Sequence, residues 1–261
     1  MGLFDDFNGR LLGQEYSMSE QEKKDLEMVK KDWKALEYVK EQTPDICMAA
    51  VQQDGEALEY VREQTPEICM AAVNQNGWAL EYVKERTTEV CMAAVKQDGF
   101  TLRYVKEQTP EICMAAVKQN GYALEYVKKQ TTEVCMAAVK QNGWALQYVR
   151  EQTPDICLVA VKQDGYALQF VKEQTPEICM AAIQQNGWTL RFVNEQAEHI
   201  CMVAVQQDGH NLQYVKEQTL EICLVAVQEN PNAIKYIRDP EMRQQVEESL
   251  KQGSASAMLI F

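Results

Sequence analysis

Apolar and polar positions alternate along residues 33–230 in a pattern that repeats every 22 residues. Glycine opens eight successive copies, and cysteine recurs at one later position in all nine. Each copy holds two apolar segments with helical spacing, as at Ala123, Leu124 and Val127. Periods of this length are typical of solenoids, in which a unit packs only on its neighbours. The sequence therefore predicts an all-α fold, an α-solenoid of nine 22-residue two-helix repeats with helical caps.

Local signals place both helices of a repeat. In the copy 121–142 the first helix is predicted from about Tyr122 to Lys129, and the second begins after Thr131. Most copies read Thr-Pro-Glu or Thr-Pro-Asp there, which supplies a capping hydroxyl, a proline suited to the first turn and an acid near the positive helix end. The second helix is predicted to end because the following glycine adopts the left-handed conformation. It is apolar almost all round, which favours an inner layer, with the amphipathic first helix outside.

The flanking segments are predicted to shield the ends of the array. Ser19–Glu22 has the spacing of a capping box, and Asp239–Pro240 opens a polar helix to about Gln252. The apolar residues 257–261 are expected either to fold onto the body or to bind something. Helical spacing also relates five apolar residues near the N-terminus: Leu3, Phe4, Phe7, Leu11 and Leu12. The predicted organisation is an N-terminal cap (1–32), nine helical repeats (33–230) and a C-terminal cap with an apolar tail (231–261).

The cysteines are predicted to be core residues. Successive cysteines belong to repeats about 8–10 Å apart, which is too distant for a disulfide or a shared metal ion. We therefore expect no metal, no cofactor and a reducing, cytoplasmic location. The sequence shows neither an apolar run of membrane-spanning length nor a secretory signal.

The residue after each glycine varies, and six consecutive copies place an aromatic side chain there. On a helical wheel this position lies beside a row of tyrosines and phenylalanines and away from the core direction. Large exposed aromatic residues are enriched at binding hot spots, and the alternative is that each ring packs on the next repeat. The predicted partner-binding residues are Trp78, Phe100, Tyr122, Trp144, Tyr166 and Trp188.

The net charge of −13 repels nucleic acid and favours a partner with a basic surface, although solubility alone also explains it. The ends of the chain are acidic and its middle is slightly basic. Four lysines, interleaved with the aromatic residues, leave single-strand nucleic-acid binding as a third possibility. They are Lys96, Lys118, Lys140 and Lys162.

Residues suited to catalysis are scarce. The two histidines, His199 and His210, have no neighbours at a spacing that suggests a catalytic triad, and no glycine-rich phosphate loop is present. We therefore expect no enzyme activity.

The stretch 116–126, Ala-Val-Lys-Gln-Asn-Gly-Tyr-Ala-Leu-Glu-Tyr, and its relative at 94–99 resemble a widespread helical repeat family. That family is catalogued as a domain of unknown function and occurs in bacteria, large viruses and mobile elements, with an AAVKQNG-x-AL-x-Y signature. The similarity runs from residue 33 to 238. It implies an all-helical interaction scaffold and brings no catalytic residue with it.

These observations predict a protein–protein interaction scaffold, monomeric or weakly dimeric, that binds neither membrane nor nucleic acid directly. The alternative is an acidic inhibitor, for example a phage-type anti-CRISPR protein, that blocks the nucleic-acid groove of a nuclease. Irregular copies, as at Ala197–His199, favour a natural array over an engineered consensus one.

Overall fold

The structure is a computed structural model that describes residues 18–258, with side chains described through residue 251. Within that part of the chain every regular element is a helix, and each repeat pairs a short 3₁₀-helix with a ten-residue α-helix. The predicted all-α solenoid repeat is confirmed. The apolar residues at positions 3–12 and 259–261 lie outside the described residues.

The elements keep the 22-residue period from end to end of the repeats. The α-helices are α1 (Glu20–Lys31), α2 (Pro44–Gln53), α3 (Pro66–Gln75), α4 (Thr88–Gln97), α5 (Pro110–Gln119), α6 (Thr132–Gln141), α7 (Pro154–Gln163), α8 (Pro176–Gln185), α9 (Glu198–Gln207), α10 (Leu220–Glu229) and α11 (Pro240–Met258). The 3₁₀-helices are Trp33–Tyr38, Gly55–Tyr60, Gly77–Tyr82, Gly99–Tyr104, Gly121–Tyr126, Gly143–Tyr148, Gly165–Phe170, Gly187–Phe192, Gly209–Tyr214 and Pro231–Tyr236.

The described chain divides into two compact units. The first unit comprises residues 18–97 and 104–106, and the second comprises residues 98–103 and 107–258. In the first unit α2 packs on α3 and α3 on α4, and in the second the same stacking runs from α5 to α8 and on through α9 to α10. Repeats therefore contact their sequence neighbours within each unit, as a solenoid requires.

Both helices of a repeat contribute to one core. In the copy 121–142 the buried side chains are Ala123, Leu124, Val127, Val134, Cys135, Ala138 and Val139. The α-helix leaves Met136 and Ala137 partly exposed on its outer face, so it is less enclosed than its apolar sequence predicts.

The first helix of the repeat differs from the prediction. It is a 3₁₀-helix that ends at Tyr126, whereas the sequence predicted an α-helix to about Lys129. The reason is a side chain from the preceding repeat, because Gln108 donates from Nε2 to the Tyr126 carbonyl at 2.9 Å and accepts at Oε1 from the Lys128 amide at 2.9 Å. Continuation of the helix would need those two backbone groups. The tertiary contact therefore stops the helix and leaves Val127 extended.

The role predicted for the glycines is wrong. The chain leaves α6 through Asn142, which is extended at φ −151° and caps the next 3₁₀-helix by accepting from the Trp144 amide at 3.0 Å. The next residue, Gly143, is glycine because there is no room for a side chain. A Cβ there would lie 2.6 Å from the Ala160 carbonyl oxygen of the next repeat. Close approach of two backbones, not a left-handed turn, selects glycine.

The predicted capping signals are present. Ser19 accepts from the Glu22 amide at 3.2 Å while the Glu22 carboxylate accepts from the Ser19 amide at 2.7 Å, which completes the capping box of α1. Thr109 accepts from the Ile112 amide at 3.3 Å at the start of α5. The terminal helix α11 begins at Pro240 and runs beyond the predicted end, to Met258. Within residues 18–258, none of the helices combines the length and apolar character needed to cross a membrane.

Candidate interaction surface

The predicted aromatic residues form ring pairs between neighbouring repeats. Trp144 meets Phe170 with ring centroids 5.4 Å apart and planes inclined at 67°. The same tilted or edge-to-face arrangement recurs within the second unit at about 6 Å. The pairs are Phe100–Tyr126, Tyr122–Tyr148, Trp144–Phe170, Tyr166–Phe192 and Trp188–Tyr214. The sixth predicted residue, Trp78, forms the equivalent pair with Tyr104 in the first unit.

These rings also remain accessible. Trp188 exposes 38% of its surface, and Trp78, Phe100, Tyr122, Trp144 and Tyr166 are partly exposed. The two alternatives drawn from the sequence, a binding surface and an interlock between repeats, are therefore not exclusive. Each ring packs on a ring of the next repeat and is also partly exposed to solvent. Whether a partner uses them stays a prediction.

Hydrogen bonds fix the orientation of the rings. The Trp144 indole donates from Nε1 to Asp164 Oδ2 at 2.7 Å, and its backbone amide donates to Asn142. At the equivalent position of a later repeat, His210 contacts Asp208 Oδ1 at 2.9 Å through Nδ1 and lies 5.8 Å from the Tyr236 ring. The histidine thus replaces an aromatic ring in the same pairing, which is a structural role for His210.

A second row, three residues after the first aromatic position, sets the charge beside the rings. In the first unit this row holds three exposed carboxylates, Glu37, Glu59 and Glu81. In the second unit it holds three cations and a single carboxylate among neutral glutamines: Arg103, Glu125, Gln147, Gln169, Arg191, Gln213 and Lys235. The aromatic surfaces of the two units therefore differ in sign of charge. This row was not among the predicted site residues, although its change from Glu to Arg at the fourth repeat is visible in the printed chain.

Cations that follow most of the 3₁₀-helices serve the stacking of repeats. Arg150 donates to the Lys128 carbonyl at 2.8 Å, and Lys172 donates to the Arg150 carbonyl at 2.8 Å. These carbonyls lie in the connections after the 3₁₀-helices, and a charged donor forms a stronger hydrogen bond to them than a neutral donor would. The predicted lysine row is different: Lys96 in the first unit and Lys118, Lys140 and Lys162 in the second are all exposed.

The nine cysteines lie in the core, as predicted, and all are free thiols. Each lies beside the helix connection of its own repeat, as where Cys113 Sγ contacts Gln108 Oε1 at 3.7 Å. Burial raises the thiol pKa throughout, to about 11 at Cys47 and Cys223. The thiols are therefore protonated at neutral pH and poorly suited to act as nucleophiles or metal ligands. Among the described residues, no three histidine, cysteine or acidic side chains converge as metal ligands would.

The irregular repeat at residues 187–208 forms a wider groove with the repeat that precedes it. The cavity beside Cys179 has a volume of about 520 Å³ and is lined by Asn194, Ala197 and His199, where other copies carry a cation, threonine and an acid. The corresponding groove beside Cys135, in a regular repeat, measures about 290 Å³. His199 is exposed, and the residues that line this groove show no arrangement of groups that suggests chemistry.

A family model described as Domain of unknown function (DUF4116) matches the chain repeatedly, each time over about two repeats. The matched stretches are residues 65–109, 87–131, 109–153, 132–175, 153–196 and 198–243. Together they cover well over half of the sequence. The chain belongs to this family. Comparison with curated proteins and with solved structures gave no match. Membership in this family agrees with the resemblance seen in the sequence and with the repeat architecture. The description of the family states no activity.

Proposed function

We propose that this protein is a non-enzymatic scaffold that binds another protein through its paired aromatic rings. The observation that carries the proposal is the combination of order and exposure at positions such as Trp144. Its ring is held by Phe170 and Asp164, yet part of its face is open to solvent. Aromatic side chains that are already ordered lose little conformational entropy on binding, so their buried area contributes efficiently to affinity.

The repetition of this arrangement supports a protein partner over a small ligand. In the second unit five consecutive repeats present such a ring, from Phe100 to Trp188. A row of contacts with one anchor per repeat suits an extended partner surface. The grooves between repeats are open and lined by residues of mixed polarity, unlike the enclosed apolar pockets typical of small-molecule sites.

The test compares Trp144→Ala with Phe170→Ala. Both variants remove the same ring pair and so lose about 0.5–1.5 kcal/mol of stability from that contact. Only the first removes a predicted anchor, together with its indole hydrogen bond to Asp164. Affinity capture from a native lysate with mass spectrometry is expected to recover a partner with wild type and Phe170→Ala and to lose it with Trp144→Ala. Equal recovery by both variants would show that the ring serves only to join repeats.

Two further candidates are separated in the same capture by salt. An acidic inhibitor of a nuclease would bind through carboxylates, so its partner would be lost at high salt and displaced by RNA or DNA. Direct nucleic-acid binding through Lys118, Lys140 and Lys162 would appear as a mobility shift at low salt. A partner retained at high salt supports binding through the aromatic rings.

A further inference from the structure

The first unit carries a surface in which tyrosine rings alternate with carboxylates. We call it the Glu–Tyr face, and it consists of Glu37, Tyr38, Glu56, Glu59, Tyr60, Glu81 and Tyr82. The four carboxylates are exposed, Tyr60 and Tyr82 are partly exposed, and Tyr38 exposes 75% of its surface. Three successive repeats thus present the same acid–ring pair on one side of the unit.

Of the three tyrosines, Tyr60 packs on the Trp33 ring with ring centroids 6.1 Å apart, and the preceding repeat supplies no such ring to Tyr82 or Tyr38. Glu56 occupies the position that Trp144 holds in its own repeat, so a carboxylate lies beside Tyr82 where the second unit has an aromatic ring. Tyr38 belongs to the first repeat, where no earlier copy supplies a ring. Among the described residues no lysine or arginine forms an ion pair with Glu37, Glu56 or Glu59.

The carboxylates act on the rings electrostatically. Glu59, followed by burial and Glu37, raises the pKa of Tyr60, and burial with Glu59 and Glu81 raises the pKa of Tyr82. Glu81 also accepts a hydrogen bond from the Tyr104 hydroxyl at 2.9 Å. The face is therefore a region of concentrated negative potential with aromatic surfaces in its midst.

The second unit shows what such rings bind. There three of the seven equivalent positions carry a cation, and each of these cations lies over a ring of the tyrosine and phenylalanine row. Arg103 Cζ lies 4.6 Å from the Tyr126 ring centroid and donates to its hydroxyl, and Lys235 Nζ lies 4.9 Å from the Tyr236 centroid. In the second unit a guanidinium or ammonium of the same chain lies over a ring of this row. In the first unit the equivalent ring has a carboxylate beside it instead.

We infer that the Glu–Tyr face binds a lysine- or arginine-rich segment of a protein partner, with successive cations seated on the tyrosine rings between the carboxylates. This inference rests on the proposed scaffold function and names the chemistry of the partner for the first unit. The resident cations Arg103 and Lys235 are the internal counterparts of the partner's side chains. Cation–π attraction and the flanking carboxylates act in the same direction on one cation.

The distance between neighbouring ring sites determines which spacing of basic residues fits the face. Packed helices lie roughly 8–10 Å apart, so ring sites recur at about that distance. A polyproline II segment advances about 3.1 Å per residue with three residues per turn, so every third side chain lies on the same side and meets a new site. A segment with a basic residue at every third position therefore fits three repeats better than one whose basic residues are contiguous.

The experiment measures fluorescence anisotropy of two labelled peptides, one with arginine at every third position and one with citrulline at the same positions. Three proteins are compared: wild type, Glu59→Arg and Glu125→Arg. Both variants change the net charge equally. By analogy with Arg103 over Tyr126, the new arginine in Glu59→Arg covers Tyr82 in the first unit, and that in Glu125→Arg covers Tyr148 in the second.

The expected result is at least a tenfold loss of affinity for the arginine peptide in Glu59→Arg, less than a twofold loss in Glu125→Arg, and no binding of the citrulline peptide. Tyr82→Leu, which leaves the charge unchanged, is expected to lose several-fold, against no loss for Tyr148→Leu. Circular dichroism confirms that each variant is folded. Equal losses in the two arginine variants, or no binding by wild type, would overturn the inference. Either outcome leaves the Trp144-dependent capture as a separate test of the scaffold function.

Discussion

Gln130 and Tyr148 lie 18 residues apart and join two repeats, because Gln130 Nε2 donates to the Tyr148 carbonyl at 2.9 Å. The Oε1 atom of the same side chain accepts from the Arg150 amide at 3.0 Å. One primary amide thus pairs with two backbone groups of the next copy, much as a peptide group would. The glutamine recurs at this position in most repeats.

The first prediction concerns this bridge. Gln130→Leu is expected to lower the free energy of unfolding by about 1–3 kcal/mol, because it leaves two backbone groups without their partner. Gln130→Glu should also lose stability, because a carboxylate oxygen in place of Nε2 has no proton to donate and would face the Tyr148 carbonyl oxygen. Urea unfolding followed by circular dichroism measures both. Equal stability of the leucine variant and wild type would contradict the role given to the bridge.

The second prediction tests the steric reason for glycine. Gly143→Ala would place a Cβ 2.6 Å from the Ala160 carbonyl oxygen and 2.8 Å from Gln163 Oε1. Because a backbone atom must move, we expect a loss of about 1–3 kcal/mol in urea unfolding. Lys140→Ala, at an exposed position of the preceding helix, serves as the control and should change stability little.

The third prediction concerns the irregular cap at Ala197. This residue precedes α9 and makes no side-chain cap, whereas Thr175 accepts from the Ile178 amide at 3.3 Å at the start of α8. Ala197→Thr is expected to gain about 1 kcal/mol of stability, and Thr175→Ala to lose a similar amount. A shift of the urea midpoint in the wrong direction for either variant would contradict the capping argument.

The fourth prediction concerns the thiols. Burial raises the pKa of Cys47 and Cys223 to about 11, above the 9.0 of the free side chain. A group whose pKa is raised in the folded state contributes stability below its unfolded pKa, and that contribution is lost as the pH rises from about 9 towards 11. Native protein at pH 8 should therefore react slowly with iodoacetamide, while protein in urea should react rapidly at all nine cysteines.

Mass spectrometry of the alkylated protein locates any early reaction. Uniform fast modification of the native protein would show that the cysteines are not enclosed. When the free energy of unfolding is measured against pH, its decrease between pH 9 and 11 should be smaller in Cys223→Ala than in wild type. Only the pH-dependent part is compared, because the substitution also changes the packing.

The periodic signals in the sequence were sufficient for the α-helices. Thr109 and Pro110 mark a helix start, and Asn120 with Gly121 marks its end, because these are local backbone preferences. The 3₁₀-helix could not be found in the same way. Its end at Tyr126 depends on Gln108, which lies in another repeat, and no local pattern reports a partner 18 residues away.

The candidate surface was predicted in part for a similar reason. Helical spacing placed the row that contains Trp144 beside the row that contains Phe170. The packing of these two rings on each other depends on the distance between copies. The charge contrast beside the rings needed no structure, since Glu59 and Arg103 stand at equivalent positions of the printed sequence. The position of the Arg103 guanidinium over the Tyr126 ring depends on the distance between copies, which the sequence does not report.

The short reach of the glutamine bridge bears on how such a chain changes length during evolution. If the coding segment for residues 143–164 were lost by recombination between near-identical copies, Gln130 would meet Phe170 and Lys172 in place of Tyr148 and Arg150. These residues present the same backbone carbonyl and amide, as the Gln152 bridge to both of them shows. Deletion or duplication of whole copies therefore produces chains in which the glutamine bridge at the new junction can still form. Copy number can then respond to selection on what the surface recognises, without a penalty at the new junction.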